Sequence, residues 1–316
     1  MISIIIPSYN PGKNIINLIE SLLSQDCGDK YEIVVVDSST DNTRDIISKY
    51  PIKVFFQKPS GAAAARNVGI KKSKGDIIVF IDSDCIAPKT WLKNLLEPFK
   101  DSGVFGVAGT YRNKNNSSIS KFIQYEIEYR HEKMVDKKEI DFVGTYNCAY
   151  RRDVFDSVGY FDEKLTQAED ADFSFRASKE FKIVFNKTAY VYHDHVSDMF
   201  GFIKQKFQRG FWKPILYSRN KSKLVGDSYT PKTLGLQVLL TGLLLVSFFM
   251  INYLYSIVIL FFIYFLNMDL FRFLLKNDKQ LLVMSLMLIL IRNTSAGFGV
   301  VFGLFYLIVG MNKKHI

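Results

Sequence analysis

The chain has 316 residues, 41 Lys and Arg against 31 Asp and Glu, and a formal net charge of +10. That length gives room for one or two domains with full cores, and the basic balance points to anionic lipid or phosphorylated partners, with no RNA-binding signature and no nucleic acid expected. Three widely spaced cysteines, Cys27, Cys85 and Cys148, exclude a disulfide-stapled fold and a zinc site.

The chain opens on "ISIIIP", a short apolar run ended by Pro7, as expected of a buried strand. It is too short and lacks the basic lead of a signal peptide, so the front half is expected to stay in the cytoplasm. "NIINLIESLLSQ" then places Ile15, Leu18, Ile19, Leu22 and Leu23 on one helical face. "YEIVVVD" reads as a second strand, "DNTRDIISKY" as a helix and "IKVFF" as a third strand. "SGAAAARNVGIKKS" reads as a helix and "GDIIVFID" as a fourth strand. This alternation implies a mainly parallel sheet with helices on both faces. Ligands of such sheets lie beyond the carboxyl ends of the strands. "PSYN", "DSSTDNT" and "DSD" each follow a strand directly, so the polar residues fall where chemistry is expected.

Asp82 and Asp84 leave the fourth strand one residue apart, and strand alternation places both side chains on one side. Two close carboxylates repel each other unless a cation lies between them or one is protonated. Oxygen ligands suit Mg²⁺ or Mn²⁺, while a solvated turn is the plainer reading.

The series resembles the family 2 glycosyltransferases of the GT-A fold. "IIIPSYN" is similar to their first strand and nucleotide loop, and "VVVDSSTDNT" to the second strand with its base-contacting aspartate. "GAAAARNVGI" resembles their G-x-x-x-A-R-N-x-G helix and "FIDSDC" their metal-binding Asp-x-Asp. "TYNCAYRRDVFDSVGYFDE", "AEDADFSFR", "VYHDH" and "FQRG" follow in the family's order, so the resemblance covers roughly residues 1–212. It implies a donor pocket of Pro7, Tyr9, Asn10, Asp37, Arg66, Asp82 and Arg209. Arg66 also reads as a surface arginine, and Asp37 as a helix N-terminal turn residue. The resemblance implies a divalent Mg²⁺ or Mn²⁺ held by Asp84 and Asp82, with His193 preferred to His195 as a further ligand. Tyr146 and Asn147 would face the acceptor. Asp170 would be the general base that deprotonates an acceptor hydroxyl, with Glu169 orienting it. Against that role stands the preference of carboxylates for helix N-termini. A departure from the family is the stretch Lys206, Phe207, Gln208, Arg209, Gly210, where processive synthases have Gln-x-x-Arg-Trp; transfer of one sugar per cycle is expected.

The soluble region is expected over 1–225, with a basic, aromatic, amphipathic stretch at 197–217 suited to a headgroup layer. From Thr233 to Met268 there is no charged residue, and from Leu281 to Met311 only Arg292. Both runs exceed the roughly 20 residues that cross a bilayer. An all-α membrane region over 226–316 with two to four helices, at about 233–251, 253–268 and 280–311, is therefore expected. Asn252 and Tyr253 suit the turn of a hairpin, and the last run reads either as one crossing or as half-spans broken near "RNTSAG". Basic "DLFRFLLKNDKQ" and "NKKHI" favour an even number of crossings with both basic ends inside. Arg292 is expected to face protein or a lipid phosphate. The chain reads as a multi-pass cell-membrane enzyme that moves one sugar from a nucleoside diphosphate sugar to a lipid-linked acceptor. The rival readings are direct transfer to a polyprenyl phosphate and a non-catalytic membrane scaffold or transport component.

Overall fold

A computed structural model describes residues 1–250 and 253–312. The chain divides into a unit of Met1–Lys114 with His131–Asp194 and a unit of Asn115–Arg130 with His195–Ile316.

The first unit begins β1 (Ile2–Ser8), α1 (Asn14–Leu23), β2 (Tyr31–Asp37), α2 (Thr43–Ile47), β3 (Lys53–Phe56), α3 (Ala62–Lys72) and β4 (Ile77–Ile81). It continues through β5 (Cys85–Ile86), α4 (Trp91–Leu96) and β6 (Val104–Asn113). Helix α5 (Ser118–Val135) is divided between the two units. Then come β7 (Asn147–Arg151), α6 (Arg152–Val158), α7 (Glu169–Ala177) and β8 (Lys182–His193). All eight strands form one sheet in the order β3-β2-β1-β4-β7-β6-β8-β5. Only β7 and β5 run against the rest, so the sheet is mixed but mainly parallel, as expected.

The isoleucine and valine content of β1, β2 and β4 explains their central place. Ile4, Ile6, Val35 and Val79 are fully buried under Ile15, Leu18, Ile19 and Leu22 of α1. Each such side chain contributes about 1.5–3 kcal/mol by leaving water. The first strand does not stop at Pro7 but runs on to Ser8. Pairing with β4 ends at Ile5↔Phe80, so the missing N–H of Pro7 costs no bond on that side.

The second unit contains the first part of α5 with α8 (Met199–Arg219), α9 (Leu234–Phe249), α10 (Tyr253–Leu266), α11 (Met268–Asn277) and α12 (Leu281–Asn312). The amphipathic stretch expected at 197–217 thus groups with the apolar helices, and the units part after Asp194 instead of near 225. Its backbone packs closely on α12, where Gly210 meets Ala296, Gly299 meets Phe207 and Gly303 meets Phe211. A Cβ at any of these glycines would strike main-chain atoms of the other helix. Phe207 on Phe302 and Phe211 on Tyr306 complete the seam.

Leu281–Val309 is 29 residues long and apolar enough to cross a membrane. It is one unbroken helix, so the half-spans expected near "RNTSAG" do not form; the segment has no proline, and its buried polar groups find partners. The 16 residues of α9 are short for a span. Helices α10 and α11 pass the same test only as a pair bent by 62°. Tyr253 opens α10, while Asn252 lies outside the described residues. Ser247 and Ser256 share a hydrogen bond of 2.9 Å between α9 and α10.

Candidate active site

The carboxyl ends of the parallel strands gather the predicted polar residues. Asp37 closes β2 and is only 1% exposed. Its Oδ1 accepts hydrogen bonds from Ser8 Oγ at 2.8 Å and Ser39 Oγ at 2.6 Å. Its Oδ2 is buried with no partner. An unsatisfied buried acceptor costs about 1–3 kcal/mol, so this oxygen is poised for a donor from outside the chain. Asn10 sits at φ 49°, donates its N–H to Ser39 Oγ at 2.9 Å and accepts the Thr40 N–H at 2.8 Å. The loops after β1 and β2 are thereby tied together. Tyr9 beside them is 59% exposed, and Pro7 is half-buried.

Arg66 points from α3 into the unit and is 4% exposed. Its Nη1 donates to Glu169 Oε1 at 2.8 Å and its Nη2 to Asp82 Oδ1 at 3.0 Å. The guanidinium thus joins two carboxylates, and only its Nε is left buried without a partner. Neighbouring Asn67 accepts the Phe161 N–H at 3.0 Å and donates to Phe161 O at 3.0 Å and Glu163 Oε1 at 2.9 Å. That clamp holds the segment leading to α7.

Asp82 and Asp84 lie beyond the strand, because β4 ends at Ile81. They occupy a turn closed by the Cys85 N–H bonded to Asp82 O at 3.1 Å. The turn aims Asp82 at Arg66 and Asp84 at His193, whose Nε2 lies 3.4 Å from Asp84 Oδ2. Among the described residues no three His, Cys, Asp or Glu side chains converge as a metal cluster. Of the expected trio, Asp84 and His193 are in direct contact, while Asp82 Oδ1 is bonded to Arg66. A half-exposed carboxylate beside an imidazole is a donor set that Mn²⁺ accepts, so Asp84 and His193 fit such an ion. His195 is buried and bonded through Nε2 to Gln124 Oε1 at 3.0 Å, within the second unit.

Tyr146 stacks on Tyr111, with ring centres 3.6 Å apart, and Tyr111 in turn lies 4.8 Å from the His193 ring. Asn147 does not face an acceptor. It is fully buried, accepts from Trp91 Nε1 at 2.8 Å and donates to Thr110 O and Ala189 O, each at 2.9 Å. Its amide ties β7 to the strands around it and has no group left for a substrate.

Glu169 and Asp170 begin α7. Glu169 is buried, with Oε1 on Arg66 and Oε2 unpartnered. Asp170 is half-buried, and its Oδ1 accepts the Ala171 N–H at 2.7 Å. Loss of water and the adjacent Glu169 charge raise its carboxyl to about 7, despite Arg66 and the helix N-terminus. A carboxylate tuned to neutrality suits proton abstraction. Arg209 is exposed on α8, in the second unit.

Sequence reasoning missed Tyr111, Ser8 and Ser39. Ser8 and Ser39 are small polar residues flanking a strand end, a signal too common to single out. Tyr111 lies on β6, whose register against β7 and β8 no local pattern reveals.

The pattern of glycosyl transferase family 2 matches residues 3–159. Glycosyltransferase AglE of Haloferax volcanii is 29% identical over 187 residues, 56% of this chain and 61% of AglE. The chain thus spans under two-thirds of that relative. The O-antigen chain rhamnosyltransferase WbaN of Salmonella anatum is 27% identical over 232 residues, 69% of this chain and 72% of WbaN. Among solved structures, the mannosyltransferase PcManGT from Pyrobaculum calidifontis, in complex with GDP-Man and Mn2+, shares the fold with a TM-score of 0.59. It is 16% identical, over 97% of this chain and 86% of that one. The matched pattern assigns residues 3–159 of this chain to glycosyl transferase family 2.

Proposed function

We propose that this protein is an inverting, non-processive glycosyltransferase that moves one sugar from a nucleoside diphosphate sugar to a hydroxyl of a lipid-linked acceptor. The observation that carries the reading is Asp170, a half-buried carboxylate lifted to about 7, in the same unit as the orphaned Asp37 Oδ2. Asp37 accepts a hydrogen bond from the nucleotide base. The tied loops of Tyr9, Asn10 and Pro7 shape the pocket around it. Asp84 and His193 hold a divalent ion, which when bound offsets negative charge on the leaving nucleoside diphosphate. Asp170 takes the proton of the acceptor hydroxyl as its oxygen attacks the anomeric carbon. One such displacement inverts that carbon. Arg66 holds Glu169 in place through its Nη1, and Glu169 orients the base; Tyr146 and Tyr111 offer a stacked face to the acceptor sugar.

A lipid anchor for the acceptor accords with the span-length helix Leu281–Val309 and with the exposed apolar side chains of α9, α10 and α12. Soluble surfaces rarely expose so much. On this reading the protein is a membrane protein with its catalytic unit in the cytoplasm. The GDP-Man and Mn2+ named for the Pyrobaculum structure support a nucleotide sugar donor and a divalent ion here.

The test is to incubate purified protein with Mn²⁺, a panel of nucleotide sugars and a lipid-linked glycan, and to measure released nucleoside diphosphate and extended lipid. Both are expected, and both are lost in Asp84→Ala. Asp170→Asn separates the acceptors. A phosphate oxygen needs no general base, so transfer that survives Asp170→Asn would assign the lipid phosphate as acceptor.

A further inference from the structure

Four cations crowd the interior of the helical unit. Arg130 lies on α5, Lys206 and Lys213 on α8, and Arg292 on α12. The carboxylate of Glu126 serves three of them. Its Oε1 takes Arg292 Nη1 and lies 3.5 Å from Arg130 Nη2, while its Oε2 lies 3.3 Å from Lys206 Nζ. Glu126, Lys206 and Arg292 are each no more than 6% exposed. Arg292 is saturated, with Gln237 Oε1 at 2.7 Å and Asn293 Oδ1 at 3.0 Å as further acceptors.

Lys206 and Lys213 are not saturated. Lys206 Nζ has one hydrogen-bond acceptor, Glu126 Oε2 at 3.3 Å, and lies 4.9 Å from the centre of the Phe202 ring, while Lys213 has no hydrogen bond or ion pair among the described residues. They stand seven residues apart, so α8 presents both on one face, about 10 Å apart along its axis. Asp227, whose Oδ1 accepts the Tyr229 and Thr230 N–H groups, is an acid whose field reaches Lys213. The cluster thus has four cations against two carboxylates. Burial among like charges lowers Lys206 to about 7 and Lys213 to about 8. Surplus buried charge is costly unless paired. An anion entering beside Lys213, which is only half-buried, removes that cost.

We propose that Arg130, Lys206 and Lys213 form a phosphate-binding site within the helical unit that takes the diphosphate of the lipid-linked acceptor. The identity of that occupant rests on the lipid-linked reading above. The site is separate from Asp84 and His193, which lie in the sheet-bearing unit. Exposed apolar side chains of the same helical unit, among them Leu239, Phe261, Val301 and Phe305, give an adjoining hydrocarbon chain an apolar face. A diphosphate suits the surplus better than a neutral headgroup, and its charge-assisted hydrogen bonds to ammonium and guanidinium are strong.

The test titrates the full-length protein, in nanodiscs of neutral phosphatidylcholine, with farnesyl diphosphate. Binding is expected for the wild type and not for farnesol. Lys213→Gln should weaken it by roughly ten- to a hundredfold, the loss of one charge-assisted hydrogen bond, and Lys213→Arg should restore it. Lys206→Met should do the same as Lys213→Gln; a thermal melt of each variant checks that it is folded. Equal affinity in folded Lys213→Gln and the wild type overturns the site. Displacement of farnesyl diphosphate by UDP overturns it too, because the cations would then serve the donor. Equal competition by phosphatidylglycerol in the nanodisc reassigns the pocket to bulk headgroups and overturns the acceptor assignment. A wild type that binds farnesyl diphosphate through these lysines yet glycosylates no lipid-linked acceptor sinks the functional reading and leaves the anion site standing. Transfer to such an acceptor with unimpaired Lys213→Gln binding sinks the site alone.

Discussion

Asp170 and Arg66 make the sharpest demands at the scale of single residues. With the Asp170 carboxyl at about 7, the base is protonated below that pH and free above it. The rate at limiting acceptor should therefore fall as pH drops through 7 and level off above it; a profile flat from pH 5 to 8 would remove the base from the mechanism. Asp170→Asn should lower kcat roughly 10²–10⁴-fold, the usual worth of a general base. Arg66 answers to stability as well as to catalysis. Replacing it by Met leaves Glu169 buried with no cation. The expected cost is about 3–5 kcal/mol in a denaturant melt. Adding Glu169→Gln should recover part of that loss, since the two residues share one interaction. Loss that simply added would show that the pair is not coupled.

At the scale of elements, the seam between α8 and α12 depends on glycine. Gly299→Val and Gly303→Val would each push a side chain into the main chain of α8. Overpacking of this kind costs about 1–3 kcal/mol, so each variant should melt earlier in detergent, whereas Gly235→Ala, with open space around it, should not. The strands and helices of the first unit were readable because apolar runs and polar strand ends repeat at short range. The strand-end loops with Asp37, Asp82 and Asp84 fell where a parallel sheet puts its ligands. What could not be read there was pairing across the sequence. Arg66 meets Glu169 from 103 residues away, and Asn147 finds Trp91 across 56. No local pattern tells an acceptor-facing amide from one spent on three neighbours. Strand alternation does not govern Asp82 and Asp84, because a turn replaces the strand after Ile81.

At the scale of the whole molecule, charge and hydropathy separate along the chain more cleanly than the units do. The apolar helices were legible from uncharged runs alone. Arg292 was legible as costly, and its partner was not, since Glu126 lies 166 residues earlier. If the exposed apolar surface of α9, α10 and α12 faces lipid, the protein should stay with membranes after an alkaline carbonate wash. Recovery in the supernatant would argue against integral insertion. Truncation before α9 should release the chain from membranes; it also removes Gln237 and Arg292 from the buried network, so lower stability should accompany release.

The adjacency of Arg66 and Asn67 on α3 has a mechanical meaning. One turn of helix grips the turn that follows β4 with the first side chain and the run-up to α7 with the second. On the proposed mechanism, the groups that serve the leaving nucleotide and the attacking hydroxyl would be bolted to a common shaft. A sideways displacement of α3 would shift both together, preserving the spacing on which an in-line displacement depends.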